Sequence, residues 1–249
     1  MDIIEIMEIH PFLTPLKNGL IVSCQALEDE PLHGSAFMAA MARAAWLGGA
    51  VGIRANTPED IAAVRQAVDL PVIGIFKQIV PGYEPYITPT LMTALQVSNA
   101  GADIIALDAT LRPHPEGRSA AELIGAVKTT TGKPVIADVD SVEAAQAAAQ
   151  SGANAVSTTL AGYTRASPRR EGPDFELIEA LANQLEIPVF AEGRINTPEE
   201  AYHALELGAF AIVVGGAITR PQLITRRFTS KIEKFTSSQF SREKGAATK

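Results

Sequence analysis

The sequence predicts an α/β protein with a single-domain TIM (β/α)8 barrel, because two strand signals repeat along the chain with helical segments between them. Glycine, alanine and an apolar strand recur roughly every 50 residues, starting at Gly49, Gly101, Gly152 and Gly208. A second apolar strand lies between these repeats and begins in three places at a proline: Pro71, Pro134 and Pro188. Short apolar strands that alternate with helices indicate parallel strands covered on both faces.

Taken in chain order, the elements complete eight strand–helix units. The first strand starts at Gly19, and the other seven start at the four glycines and three prolines of the repeat. Thr57-Pro58 marks the start of a helix over residues 59–68, and the alanine-rich run over 142–150 is also helical in composition. Eight such units in about 220 residues match a TIM barrel. A doubly wound open sheet is the rival, but Ser23-Cys24-Gln25-Ala26 follows the first strand, where that fold usually has G-x-G-x-x-G.

Composition indicates the domain organisation and excludes several classes of function. We expect an N-terminal extension over residues 1–15, a catalytic barrel over 16–228, and a C-terminal tail over 229–249 that is partly helical and then mobile. The net charge of −7 argues against a protein that binds nucleic acid. One cysteine excludes an internal disulfide, and no apolar run reaches the roughly 20 residues of a membrane span. We therefore expect a cytoplasmic protein that binds no membrane.

The third strand, PVIGIFK over residues 71–77, raises the question of why an apolar strand ends on a lysine. In a barrel, the carboxyl ends of the strands open on the catalytic face. The other strands carry polar residues or glycines at the position of Lys77: Gln25, Arg54, Asp108, Asp138, Ser157, Glu192 and the pair Gly215-Gly216. A single lysine there reaches solvent more often than it reacts. The convergence of these charges nevertheless favours a ligand site.

The last two loops indicate a site for phosphate. Gly193 and Arg194 follow the seventh strand, and Gly215, Gly216 and Arg220 follow the eighth. Their backbone N–H groups, a helix start and two guanidiniums meet at the standard phosphate corner of such barrels. The alternative is that the glycines serve only the geometry of tight turns.

Eight short motifs occur in one unbroken order within residues 16–228: IVSCQ (21–25), GIR (52–54), IGIFK (73–77), YITPT (86–90), LDAT (107–110), TTLAGYT (158–164), AEGR (191–194) and GGAITR (215–220). In this order they resemble the N-acetylmannosamine-6-phosphate 2-epimerase family. The resemblance implies a TIM-barrel isomerase of sialic acid catabolism whose substrates are sugar phosphates. It would interconvert N-acetylmannosamine 6-phosphate and N-acetylglucosamine 6-phosphate without a metal or another cofactor.

The resemblance also implies roles for individual residues. It makes Lys77 the catalytic lysine and Glu192 its partner carboxylate. It implies substrate contacts at four further residues: Gln25, Arg54, Asp138 and Arg220. The chain departs from the family pattern at His114, where arginine is usual, and at Asp140, an extra carboxylate after the fifth strand.

The chemistry of a 2-epimerase explains the lysine at the end of its strand. Removing the proton at carbon 2 requires a base, and a free lysine with a pKa near 10.4 is mostly protonated at pH 7. Burial and a neighbouring cation such as Arg54 lower the pKa of a lysine toward the useful range. The sequence leaves open whether Glu192 positions the amine, relays protons or holds a sugar hydroxyl.

Other interpretations stay open. A class I aldolase would use Lys77 as a Schiff-base nucleophile, and a non-catalytic phosphosugar-binding protein would need only the phosphate loops. We interpret Asp140 as the cap of the following helix, Cys24 as a packing residue, and residues 78–89 as either a lid or a rigid loop. We interpret the four histidines as surface residues: His10, His33, His114 and His203. The oligomeric state is undecided, with a homodimer as the hypothesis.

Overall fold

Eight parallel strands close into a barrel in chain order. The computed structural model describes the backbone of residues 9–246 and the side chains of residues 9–235. Within this part of the chain each strand pairs with the next, and the eighth pairs with the first. The strands are β1 Leu20–Cys24, β2 Gly52–Asn56, β3 Val72–Ile75, β4 Ile104–Asp108, β5 Val135–Asp138, β6 Ala155–Ser157, β7 Val189–Glu192 and β8 Ala211–Val214. The predicted TIM barrel is confirmed.

Helices pack against the outside of the barrel: α1 Ser35–Leu47, α2 Pro58–Ala67, α3 Leu91–Asn99, α4 Ala120–Thr131, α5 Val142–Gln150, α6 Phe175–Gln184 and α7 Pro198–Glu206. After β8, α8 Gly216–Thr219 lies at the mouth of the barrel and α9 Pro221–Ala246 follows it. Short polar side chains cap the N-terminal ends of several helices. For example, the Thr57 hydroxyl accepts a hydrogen bond from the Asp60 backbone N–H at the start of α2. None of the helices in the described residues is long and apolar enough to cross a bilayer.

The predicted division of the chain stays a prediction. A short 3-10 helix, Thr14–Leu16, lies at the predicted start of the barrel, and its Leu16 packs beneath the strands together with Leu13. Helix α9 runs through the predicted boundary between residues 228 and 229. Residues 1–8 and 247–249 of the predicted terminal segments lie outside the described residues.

Side chains alternate between an inner and an outer layer along each strand. In β3, Ile73 and Ile75 pack inside the barrel. Gly74 faces outward, where a Cβ atom would lie 2.5 Å from Cγ1 of Val97, so that only glycine lets α3 approach the strand this closely. Counting on by two from Ile75 reaches Lys77, which therefore continues the inner row at the open end of the barrel.

Candidate active site

A cavity of about 400 Å³ opens where the carboxyl ends of the strands meet. Nine of the ten residues predicted for the site line it: Gln25, Arg54, Lys77, Glu192, Gly193, Arg194, Gly215, Gly216 and Arg220. The tenth, Asp138, is fully buried and accepts hydrogen bonds from the Arg54 guanidinium. The sequence therefore identified residues that the fold brings together.

The inner rows of the strands explain this convergence. Lys77 follows Ile75, and Glu192 follows Phe190, with a spacing of two residues. Because successive side chains of a strand alternate between its faces, the residue two past the last inner apolar side chain points into the mouth. The polar ends of the strands thus share one cavity.

Arg54 joins the two carboxylates of the site. Its Nη2 donates to Asp138 Oδ2 at 2.6 Å, and its Nη1 lies 3.1 Å from Asp138 Oδ1 and 3.0 Å from Glu192 Oε2. Burial alone would lower the pKa of Arg54, but Asp138 and Glu192 outweigh burial and raise it. Its buried Nε has no hydrogen-bond partner among the described residues. Arg54 is therefore a permanent cation held between two carboxylates.

The Lys77 amine faces the cavity without a partner in the described part of the chain. Its backbone N–H donates to Asn56 Oδ1 at 2.9 Å, which fixes the end of the strand. Burial, with Arg54 next in weight, lowers the pKa of Lys77 from 10.5 to about 8, although Glu192 opposes the shift. An amine with this pKa can act as a base near neutral pH.

The pKa of Glu192 is shifted in the opposite direction from that of Lys77. Burial raises the pKa of Glu192, and the charge of Asp138 raises it further, while Arg54, Thr159 and Lys77 counteract both. A lysine with a lowered pKa and a glutamate with a raised one line the same cavity. Pairs of this kind are suited to exchange protons with a substrate.

Thr159 belongs to the site, although sequence reasoning gave it no role. It lines the cavity, and its hydroxyl lies 2.7 Å from Asp138 Oδ1 and 3.1 Å from Glu192 Oε2. A 3-10 helix, Thr158–Leu160, turns the chain directly after β6 and brings the hydroxyl back over the strand ends. No periodic signal identifies it, because β6 ends at Ser157 and the alternation of the strand does not continue into the 3-10 helix.

The residues predicted to bind phosphate line the same cavity. Gly193 has a φ of +112°, a conformation that favours glycine, and Gly215 and Gly216 begin α8. The guanidinium of Arg220 is held by Glu30 of the loop after β1, with 3.0 Å between Nε and Oε1. The corner thus combines backbone N–H groups with an oriented arginine.

Most of the Arg194 guanidinium is engaged with the loop between β6 and α6. Its Nη2 donates to the carbonyl of Ala161 at 2.7 Å and its Nε to that of Gly172 at 3.0 Å, and the group stacks on the ring of Tyr163. Nη1 has no partner among the described residues. Arg194 therefore connects two loops of the mouth, and its predicted phosphate contact stays a prediction.

Two interpretations of polar residues were wrong. Asp140 does not cap α5: the Ser141 hydroxyl accepts from the Ala144 backbone N–H, and Asp140 accepts from Thr164 Oγ1 at 2.5 Å. His114 is fully buried rather than at the surface. Burial lowers its pKa against the opposing charge of Asp108. Both residues lie in loops, where a polar side chain gives no periodic signal of its burial.

Cys24 and the segment after β3 lie next to the residues of the cavity. Cys24 packs in the outer apolar layer, as expected. The segment after β3 doubles back as a hairpin, in which the Gln78 N–H donates to the Tyr86 carbonyl at 2.9 Å and Tyr86 lines the cavity. In the described residues, no group of three or more His, Cys, Asp or Glu side chains is arranged to hold a metal ion.

The family model and the relatives similar in sequence share one description. A family model described as "Putative N-acetylmannosamine-6-phosphate epimerase" matches residues 38–234. Proteins of Caldanaerobacter subterraneus subsp. tengcongensis and Clostridioides difficile, both described as "Putative N-acetylmannosamine-6-phosphate 2-epimerase", are 54% and 49% identical to this chain. These alignments cover 88% and 89% of this chain and 92% and 99% of the two proteins.

A solved structure is similar over the whole barrel. The N-acetylmannosamine-6-phosphate 2-epimerase from Clostridium perfringens is 48% identical and superposes with a TM-score of 0.86, covering 89% of this chain and 96% of that one. Thiamine phosphate pyrophosphorylase from Pyrococcus furiosus, at 22% identity and a TM-score of 0.56, shares the fold alone.

Proposed function

The chain belongs to the N-acetylmannosamine-6-phosphate epimerase family, and we propose that it interconverts N-acetylmannosamine 6-phosphate and N-acetylglucosamine 6-phosphate. The observation that carries this proposal is the position of the Lys77 amine in the cavity. Its pKa is lowered to about 8, and it faces a cavity that also contains Glu192 and the Arg54 cation. We further propose that the enzyme acts in the cytoplasm as a homodimer.

In the proposed reaction, Lys77 removes the proton at carbon 2 of the open-chain sugar. The electron pair of the broken C–H bond moves onto the neighbouring carbonyl oxygen and forms an enolate. Arg54 and the newly protonated Lys77 stabilise this oxygen, because preorganised donors are most effective where charge develops. Glu192 returns a proton to the opposite face of carbon 2, and the configuration is inverted.

The phosphate group anchors the sugar at the other end of the cavity. The backbone N–H groups of Gly193, Gly215 and Gly216 and the guanidinium of Arg220 supply the donors that a phosphate requires. Glu30 orients Arg220 through Nε and leaves its two terminal nitrogens for the anion. Gln25 lines the same cavity, and its buried Oε1 has no hydrogen-bond partner among the described residues. It is suited to accept from a sugar hydroxyl.

The purified full-length chain tests the proposal when it is incubated with N-acetylmannosamine 6-phosphate and followed by NMR. We expect the N-acetylglucosamine isomer to form without added metal or nucleotide, and the unphosphorylated sugar to react far more slowly. Borohydride added with substrate should leave Lys77 unmodified. A reduced lysine adduct together with cleavage of the carbon chain would instead indicate an aldolase. Binding without any conversion would indicate a phosphosugar-binding protein.

A further inference from the structure

The Thr159 hydroxyl touches both carboxylates of the site. Its Oγ1 lies 2.7 Å from Asp138 Oδ1 and 3.1 Å from Glu192 Oε2. Ser157 Oγ lies 2.8 Å from Thr159 Oγ1. A threonine hydroxyl has one proton and two lone pairs, so it can donate to only one carboxylate at a time.

Asp138 is the better acceptor for this proton. It is fully buried and accepts from both terminal nitrogens of Arg54. It is also nearer to Thr159 than Glu192 is. When Thr159 donates to Asp138, it has only lone pairs left for Glu192 and Ser157. That arrangement repels an ionised Glu192 but favours a neutral one, because the acid proton then finds an acceptor.

We propose that Thr159 is a positioning residue for the acid form of Glu192, with a hydroxyl that accepts the proton of Glu192 and donates its own to Asp138. Burial and the charge of Asp138 also favour the acid form, since both raise the pKa of Glu192. Arg54 on β2 and Lys77 after β3 oppose it, and so would a hydrogen bond that Thr159 donated to an ionised Glu192. The single hydroxyl proton cannot serve both carboxylates, and Asp138 is the nearer acceptor. A neutral Glu192 is the state that the proposed function requires before carbon 2 is reprotonated.

Protons balance in the reprotonation of carbon 2. The O–H bond of Glu192 breaks, the electron pair of the enolate forms the new C–H bond at carbon 2, and Glu192 is left as a carboxylate. Lys77 holds the proton that it removed, so the site as a whole gains and loses none. Exchange with solvent then restores the neutral acid and the neutral amine. The role of Thr159 in turnover rests on the proposed function, whereas its effect on the titration of Glu192 does not.

The titration of Glu192 tests the inference directly. Full-length protein with 13C-labelled glutamate carboxyls would be titrated by NMR, and the signal that is missing from Glu192→Gln would be assigned to Glu192. In Thr159→Val we expect the titration to move to lower pH by about half a unit to one unit, the scale of one net hydrogen bond. Thr159→Ser keeps the hydroxyl and should restore the original titration. Should Thr159→Val not fold, Thr159→Ala removes the same hydroxyl from a smaller side chain.

Kinetics separate positioning from a purely structural role. We expect kcat to fall about tenfold in Thr159→Val, less than the roughly 10² to 10⁴ that a general acid contributes, because Glu192 itself is retained. KM should change less than about threefold. Thr164→Val is the matched control, because it removes a hydroxyl of the same loop that bonds to Asp140 instead. It should leave the Glu192 titration unchanged.

Two results would overturn the inference. A titration that moves to higher pH in Thr159→Val would mean that the hydroxyl donates to an ionised Glu192. An unchanged titration would mean that Thr159 serves packing alone, whatever happens to kcat. Absence of turnover in the wild-type protein would contradict the proposed function instead, and the titration would still report on Thr159.

Discussion

At the scale of single residues, the environment of Lys77 determines what chemistry the site can perform. The apolar inner row of β3 removes the amine from water, and Arg54 and Arg220 add repulsion to its charged form. At a pKa of about 8, roughly a tenth of the amine is neutral at pH 7, against fewer than about one in a thousand for a free lysine. The apolar strand therefore lowers the pKa of the lysine that we propose as the catalytic base.

The lowered pKa of Lys77 predicts how its reactivity depends on pH. The neutral amine is the form that reacts, so the rate of acetylation of Lys77 by acetic anhydride should reach half of its maximum at about pH 8. On the acid side of the activity profile, kcat/KM should fall about tenfold per pH unit, because the neutral fraction of the amine falls by that factor. Half-maximal labelling near pH 10.4, the value of a free lysine, would contradict this account.

The sequence identified residues at strand ends better than residues in loops. Lys77 and Glu192 are readable because each follows an apolar strand at a fixed spacing. Thr159 and His114 are not, since their positions depend on the path of a loop. The Thr159 hydroxyl is relevant to the site only because it contacts Asp138 of β5 and Glu192 of β7, and the sequence does not show these contacts.

At the scale of elements, strands set the direction of the reacting groups and loops hold them in place. The loop between β6 and α6 is tied to its neighbours on both sides, by Asp140 to Thr164 and by Arg194 to Ala161 and Gly172. The positions of the strands follow from the apolar repeat. The hydrogen bonds between loops do not follow from that repeat, because they join residues that are far apart in the chain and lie outside the repeated pattern.

The start of α5 offers a test of helix capping. Ser141→Ala removes the hydroxyl that accepts from the Ala144 N–H, so we expect the free energy of unfolding to fall by about 1 kcal/mol. Urea unfolding followed by circular dichroism measures the change, and kcat should be kept because Ser141 does not line the cavity. A free energy of unfolding equal to that of the wild type would show that another group caps the helix.

The phosphate corner predicts a selective loss of binding. Arg220→Ala should raise KM for the phosphorylated sugar about tenfold or more, since a charge-assisted hydrogen bond contributes roughly 1.5 to 3 kcal/mol. Turnover of the unphosphorylated sugar is the control and should change little. Steady-state kinetics with both sugars measures the two effects. An unchanged KM for the phosphorylated sugar would place the phosphate elsewhere in the cavity.

At the scale of the whole molecule, an acidic protein carries a local cationic site. The net charge is −7, yet Arg54, Lys77, Arg194 and Arg220 line one cavity. A small anionic substrate is therefore attracted at the mouth while the rest of the surface repels polyanions. The barrel itself was predictable from eight repeated units. The homodimer remains a prediction, because the association of two chains depends on surface shape, which the repeat does not encode.

The central claim is that Lys77 moves the proton at carbon 2, and isotope exchange in deuterium oxide tests it most directly. With the wild-type enzyme, the sugar should acquire deuterium at carbon 2 as it epimerises, because the abstracted proton exchanges before one is returned. Lys77→Met, similar in volume and apolar, should fold and bind the phosphorylated sugar. Its kcat should fall by at least roughly 10² to 10⁴, and incorporation of deuterium should slow equally. Near-normal turnover of Lys77→Met with the same deuterium incorporation would contradict the claim.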